Sequence, residues 1–168
     1  MKHLSIDLET FSATDLTKAG VYRYAEDPAF QILLFGYSID GALARVIDLA
    51  SGEQIPDEIL AALTDAGVVK SAFNAAFERI CLSAHLRRHH PDLLGEGFLD
   101  PAQWHCTMVW AASLGLPMSL DGVAKALLLD VQKDQAGKRL IRHYTIPDKD
   151  GGRVGPGDDP VAWMAFDS

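Results

Sequence analysis

The sequence predicts an α/β domain, a mixed β-sheet with helices packed on it. Three observations carry that expectation. Residues 3–8, 31–39 and 43–49 are β-rich apolar runs; Asp40-Gly41 separates the last two as a hairpin turn does; and helix, strand and helix then follow in order.

The run at 3–8 ends in acids. Pro56-Asp57 opens a helix through Ala66 with Ile59, Leu60 and Leu63 on one face, ended by Gly67, and Val68–Phe73 reads as a short strand. Asn74 is placed to cap the next helix, where Phe77, Ile80, Cys81 and Ala84 make a core-facing stripe and Arg79, Ser83 and Arg87 take the other side. His89 to Asp100 is a loop punctuated by Pro and Gly. Thr107–Leu114 and Ser119–Leu128 read as helices split by Gly115-Leu116-Pro117, and Gly137–Tyr144 as a further helix. Asp148–Pro160, rich in Gly, Pro and Asp, reads as a flexible loop. From Asp159-Pro160 a helical pattern of Val161, Trp163, Met164 and Phe166 runs for about two turns to Ser168, as expected of a helix cut short.

A chain of 168 residues, 48% of them hydrophobic, forms one packed domain, residues 1–168. No apolar run approaches the roughly 18 to 20 residues of a membrane helix, and the start lacks a signal-peptide core, so the expectation is a cytoplasmic protein with no membrane partner. Cys81 and Cys106 lie in apolar segments without metal-ligand spacing and read as reduced core residues. The net charge of −8 argues against a general nucleic-acid coat protein, which needs clustered Lys and Arg. It leaves a nuclease open, because carboxylates that hold divalent cations are themselves a source of negative charge.

Asp7 and Glu9 flank Leu8, so the two-residue period of a strand puts both acids on one face. Two like charges held close are costly unless a cation sits between them, and Mg²⁺ prefers such oxygen ligands. Alone, Asp-x-Glu at a strand end is as well read as a solvated turn. A second element strengthens the pattern: in Phe73-Asn74-Ala75-Ala76-Phe77-Glu78, at a strand-to-helix junction, Glu78 falls in the first turn of the helix and is placed to face the first strand. Taken singly, Asn74 is also a plain N-cap and Glu78 a surface acid matched to the helix dipole.

Together these residues resemble the DEDD-type (DnaQ-like) 3′–5′ exonucleases. The family's first motif stands here as Asp7-Leu8-Glu9-Thr10 and its second as Asn74-Ala75-Ala76-Phe77-Glu78. Tyr22-Arg23-Tyr24-Ala25-Glu26-Asp27-Pro28 leading into Ile32–Tyr37, Cys106-Thr107-Met108, and Leu114-Gly115-Leu116-Pro117 with Ser119-Leu120 resemble the exonuclease domain of phage-type family A DNA polymerases, so the likeness covers nearly the whole chain. It implies an RNase H-like mixed sheet with helices on both faces. It also implies proofreading hydrolysis at the 3′ end of single-stranded DNA, two Mg²⁺ or Mn²⁺ ions, and a polymerase domain as partner. Asp7, Glu9 and Glu78 would then be the catalytic metal ligands, and Thr10, Phe11, Asn74 and Phe77 would lie near the terminal nucleotide, where a stacked ring accepts any base. Phe11 fits plain core equally well.

Three departures stand against the family pattern. Glu78 replaces the more usual Asp, Phe73 replaces a His, and the third motif, Tyr or His followed by Asp, is absent, with Trp163–Asp167 resembling its lead-in. The 168-residue chain is therefore expected to be weakly active or inactive by itself. The alternative reading is a catalytically impaired RNase H-like module that binds nucleic acid or packs on a polymerase domain. An enzyme acting on RNA is a third, since nothing in the sequence reads the 2′-hydroxyl. Arg79, Arg87 and Arg88, and Lys138, Arg139 and Arg142, fit either phosphate tracks or ordinary solvated helix faces. His85, His89 and His90 lack partners at ligand spacing and read as surface residues.

Overall fold

A computed structural model of the chain describes residues 1–129, 140–141, 143–147, 152 and 154–167. Its centre is a five-stranded sheet formed by β1 (His3–Phe11), β2 (Gln31–Ile39), β3 (Arg45–Asp48), β4 (Val69–Ala72) and β5 (Trp104–Cys106), in the order β3-β2-β1-β4-β5. The pairs β1/β2 and β2/β3 are antiparallel, whereas β1/β4 and β4/β5 are parallel. The mixed sheet expected from the sequence is present, with β1 at its centre.

The antiparallel half is built as the sequence suggests. At the β2–β3 hairpin Asp40 and Gly41 take positive φ values of 49° and 79°, which few other residue pairs tolerate at a turn. The Asp40 carboxylate also accepts hydrogen bonds from the backbone N–H of Lys2 and His3, at 2.9 and 2.8 Å, which ties the start of β1 to the turn. Those two donors hold its carboxyl below the usual range.

The helices that accompany the sheet include α1 (Leu16–Glu26), α2 (Asp57–Thr64), α3 (Ala75–His89), α4 (Pro91–Leu94), α5 (Thr107–Ser113), α6 (Leu120–Ala126) and α7 (Pro160–Asp167), and residues 140–141 and 143–145 are helical as well. Leu4, Ile6 and Leu8 of β1 form the main core with Phe35 and Tyr37 of β2 and with residues of α1, α2 and α3. On the other face Phe11, Leu33 and Leu34 pack with Tyr144 and with Trp163 of α7. Helices therefore cover both faces. A register shift between Glu9 and Thr10 inserts Leu33 into β2 and lets both Leu33 and Leu34 join this second core.

Trp163 anchors α7 through its indole N–H, which donates to Asp48 Oδ2 at 2.6 Å in a buried contact spanning 115 residues of sequence. Replacing Trp163 with Phe keeps the ring but leaves the buried Asp48 carboxylate one donor short. We expect a loss of about 1–3 kcal/mol in denaturant unfolding; an unchanged midpoint would show that α7 docks by packing alone.

Several expectations need correction. α1 and β5 were not foreseen. α2 ends at Thr64, before Ala66, because Asp65 turns the chain by accepting from Gly67 N–H at 2.7 Å, and Gly67 does not adopt a left-handed conformation. The supposed solvated side of α3 is covered by the loop before β5. Ser83 is fully buried, donating to Arg79 O at 2.6 Å and accepting from Leu99 N–H at 3.0 Å. Arg79 donates to Leu99 O, Arg87 to Gly97 O and Glu26, and Arg88 to the carbonyls of Ala25, Asp27 and Phe30. These arginines clamp the loops around α3 and do not form a free phosphate track. Lys138, Arg139 and Arg142, and residues 148–151 and 153 of the Asp148–Pro160 segment, lie outside the described residues.

His85 is not a plain surface residue. It is half-buried against His89, with ring centroids 4.6 Å apart, and burial with the neighbouring His89, His90 and Arg88 charges drives its pKa down to about 4. Cys81 is buried and reduced as expected, whereas Cys106 is only half-buried. No described helix is long and apolar enough to cross a membrane.

Candidate active site

The strand pleat points Leu4, Ile6 and Leu8 into the main core and therefore turns Asp7 and Glu9 to the opposite face. Asp7 is exposed there and Glu9 half-buried. Opposite Asp7 on β2 stands Gly36, where an added Cβ would lie 3.4 Å from the Asp7 carbonyl oxygen, so no side chain crowds the first acid.

Glu78 reaches the site from α3. After β4 the chain makes a sharp turn in which Asn74 adopts φ 78°, ψ 48°, and α3 begins at Ala75. Glu78 lies in its first turn and is 4% exposed, with Oε2 lacking any hydrogen-bond partner. Burial raises its carboxyl pKa to about 8, and the nearby Asp7 charge adds to the rise. A helix N-terminus favours the ionised form of such a group; here burial outweighs it. Glu78 is therefore buried, near enough to Asp7 to feel its charge, and does not point into solvent.

Glu9 lines a cavity of about 580 Å³ together with Thr10, Ser12, Tyr24 and Phe77. Its charge is felt by the Tyr24 hydroxyl, whose pKa is pushed up to about 12, chiefly by burial. Among the described residues no three His, Cys, Asp or Glu side chains stand close enough together to hold a metal ion. In chemistry the donor set still fits a divalent cation: all three acids offer hard oxygens, and a deeply buried carboxylate oxygen without a partner is the kind of group an ion satisfies.

Of the residues expected near a nucleotide, Thr10 and Phe77 line the cavity. Phe11 does not: it is 3% exposed and belongs to the second core with Tyr144 and Trp163, so of its two readings the core one describes its position. Asn74 is exposed beside the site. It stands at the N-cap position in a left-handed backbone conformation and makes no side-chain capping bond.

The cavity also contains residues that no sequence motif marked. Tyr24 and Ser12 line it, and their only signal was that Tyr24 falls within the run Tyr22–Pro28. Cys106 lies close to Glu78. Burial raises its thiol pKa, but the N–H groups of Val109, Ala75, Asn74 and Met108 lower it more, and the net shift is downward.

No family model matches the chain. It is 52% identical to the DNA polymerase of Bacillus phage SP02 over 172 residues, covering 99% of this chain and 25% of the polymerase. The chain thus spans a quarter of that relative's length. Among solved structures, Brucella melitensis NrnC with bound Mg²⁺ matches 80% of this chain and 57% of its own, with a TM-score of 0.53 at 17% identity. Escherichia coli RNase D, an exoribonuclease involved in structured RNA processing, matches 83% of this chain and 31% of its own, with a TM-score of 0.50 at 16% identity. The likeness to a phage DNA polymerase read from the sequence is borne out over the length of the chain, and its α/β fold is shared with NrnC and RNase D.

Proposed function

We propose that this chain, a relative of phage DNA polymerases built on an RNase H-like exonuclease fold, removes 3′-terminal nucleotides from single-stranded DNA by a two-metal-ion displacement. Asp7, Glu9 and Glu78 would hold Mg²⁺ or Mn²⁺. The reading is carried by Glu78, a buried carboxylate with one unpartnered oxygen that feels the charge of Asp7.

In this reading a bound divalent cation neutralises phosphate charge and lowers the pKa of a coordinated water. Glu78 gives up its proton when the ion binds, since a ligand carboxylate must be ionised. Phe77 and Tyr24 offer ring surface to the last base in the cavity beside Glu9, and Thr10 fixes the edge of that cavity. Proofreading would place the domain beside a polymerase domain, as the length and name of the phage relative suggest.

A 3′-labelled single-stranded oligodeoxynucleotide tests the proposal. The expected result is slow release of labelled mononucleotide with Mg²⁺ or Mn²⁺ and none with EDTA, slow because the acid and the Tyr or His of the third motif are not among these 168 residues. Internal cleavage, or hydrolysis indifferent to metal, would overturn it; an RNA oligonucleotide degraded faster than DNA would move the substrate assignment to RNA.

A second reading, a module that has lost catalysis and packs on a polymerase domain, is favoured by one feature. Val109, Trp110, Leu114, Met118 and Leu120 of the α5–α6 region are all more than half exposed, and between Pro101 and Leu129 the only Asp, Glu, Lys or Arg residues are Asp121 and Lys125, which pair with each other at 2.8 Å. Such a face lacks the cations that phosphates need and suits an apolar protein surface. DNA binding without hydrolysis in either metal would support this second reading.

A further inference from the structure

We infer that Tyr24 is a positioning residue of the proposed exonuclease site: it fixes Thr10 and Phe77 as walls of the cavity beside Glu9 and so sets how tightly the terminal nucleotide is held. The inference rests on the function proposed above and adds to it a residue outside both acid motifs.

Tyr24 sits on α1 yet touches three separate parts of the cavity. Its hydroxyl and Thr10 Oγ1, at the end of β1, share a buried hydrogen bond of 2.9 Å. Its carbonyl accepts from Ser12 Oγ at 2.9 Å, and Ser12 Oγ in turn accepts from Thr14 N–H at 3.1 Å, which orders the turn after β1. Its ring lies 6.0 Å from Phe77 of α3, with Phe30 at 5.8 Å on another side. Thr10, Ser12, Thr14, Tyr24 and Phe77 all line the cavity. One side chain thus joins a strand end, a turn and the second-motif helix around the place where a nucleotide would sit.

A packing role alone would be met by Phe. The hydroxyl adds something specific, because two hydroxyls carry two protons and their mutual bond uses one. The other is left for a second acceptor, and the cavity that both residues line is where a nucleotide oxygen would offer one. With its pKa pushed to about 12, the phenol stays protonated at neutral pH and serves as a hydrogen-bonding group, with no part in moving protons during cleavage. Loss of the hydroxyl should therefore weaken binding while leaving the acids free to act.

The test is Tyr24→Phe, which keeps the ring contacts and removes only the O–H. For a short single-stranded oligodeoxynucleotide we expect KM to rise about 3- to 10-fold, the worth of one hydrogen bond, with kcat within about twofold of the unaltered chain. The Kd of a fluorescein-labelled oligonucleotide, read by anisotropy, should shift by the same factor. Thr10→Val should reproduce the effect and Thr10→Ser, which keeps a hydroxyl, should retain the original KM. The double variant Tyr24→Phe with Thr10→Val should be no worse than either single one. A change in thermal midpoint with KM and Kd unmoved would mean a purely structural tyrosine and overturn the inference, as would a fall in kcat at constant KM. An unaltered chain that neither binds nor cuts DNA overturns the proposed function and this inference together, whereas unaltered activity with unmoved Tyr24→Phe constants overturns this inference alone.

Discussion

Replacing Asp7 with Ala is expected to bring metal-dependent hydrolysis of single-stranded DNA to background, a loss of at least about 10²-fold, without unfolding the domain. The reasoning starts from position. Asp7 is exposed on the face of β1 opposite the main core, next to a glycine that leaves its side chain room, so truncation removes no core packing. Substitutions at such positions usually cost within about 0.5 kcal/mol of stability. What is lost is one of the acids proposed to hold the ion. Glu78 cannot replace it: burial is the main reason its carboxyl titrates near pH 8, and that cause remains when the Asp7 charge is gone. Initial rates in Mn²⁺, with Mn²⁺ affinity followed by calorimetry, should fall together, while the exposed acid Asp92, changed to Ala, should leave both as they were. Hydrolysis that persists at the original rate in the Asp7 variant removes the basis for calling this face a metal centre.

The parts of the molecule visible in the sequence are those where one local pattern decides the outcome. β2 and β3 could be read because Asp40-Gly41 supplies two positive φ angles between apolar runs, and α3 because Ile80, Cys81 and Ala84 repeat at helical spacing. α1 escaped notice because Gly20 breaks its backbone at φ 77°, ψ 165° and only Tyr24 and Ala25 of its residues are buried, leaving no apolar stripe to see. Its sole local mark was Asp15, which caps the helix by accepting from Thr17 N–H. β5 is three residues long and joins the sheet through β4, a pairing that short sequence windows do not contain. The same limit applies to the site. The acids Asp7, Glu9 and Glu78 stood out by residue type and spacing. The burial of Glu78, the placement of Phe11 in a second core and the convergence of Tyr24 on Thr10 and Phe77 depend on contacts made between distant segments. Ser83 illustrates the error this produces: a polar residue on the non-core side of a helix reads as solvated, until a loop from residues 97–99 covers it.

Two buried titratable groups give the metal-free protein a pH dependence with opposing slopes. Glu78 has a folded pKa of about 8 against an ordinary 4.5, raised by burial and then by Asp7. The folded state therefore holds a proton that the unfolded state has released; this stability is fully present below pH 4.5 and is lost as pH rises toward 8. His85 is the reverse case, with a folded pKa of about 4 against 6.5, depressed by burial and then by His89, His90 and Arg88. Its stabilisation is present above pH 6.5 and is lost as pH falls toward 4. Each slope is about 1.4 kcal/mol per pH unit at most, so the two offset one another between roughly pH 4.5 and 6.5 and Glu78 alone acts from there to 8. In EDTA, stability should be flat over the first interval and decline over the second. Glu78→Gln should remove the decline above pH 6.5 and expose the rising His85 limb below it; His85→Gln should instead let the decline begin near pH 4.5. Saturating Mn²⁺ should abolish the slope above pH 6.5, because the ion-bound folded state has released the Glu78 proton just as the unfolded state has. Denaturant unfolding at half-unit pH steps reads all four curves. A Glu78→Gln variant that declines above pH 6.5 as the unaltered chain does would show that this carboxyl is ionised in the free protein, and would remove the orphaned, proton-holding oxygen on which the metal assignment depends.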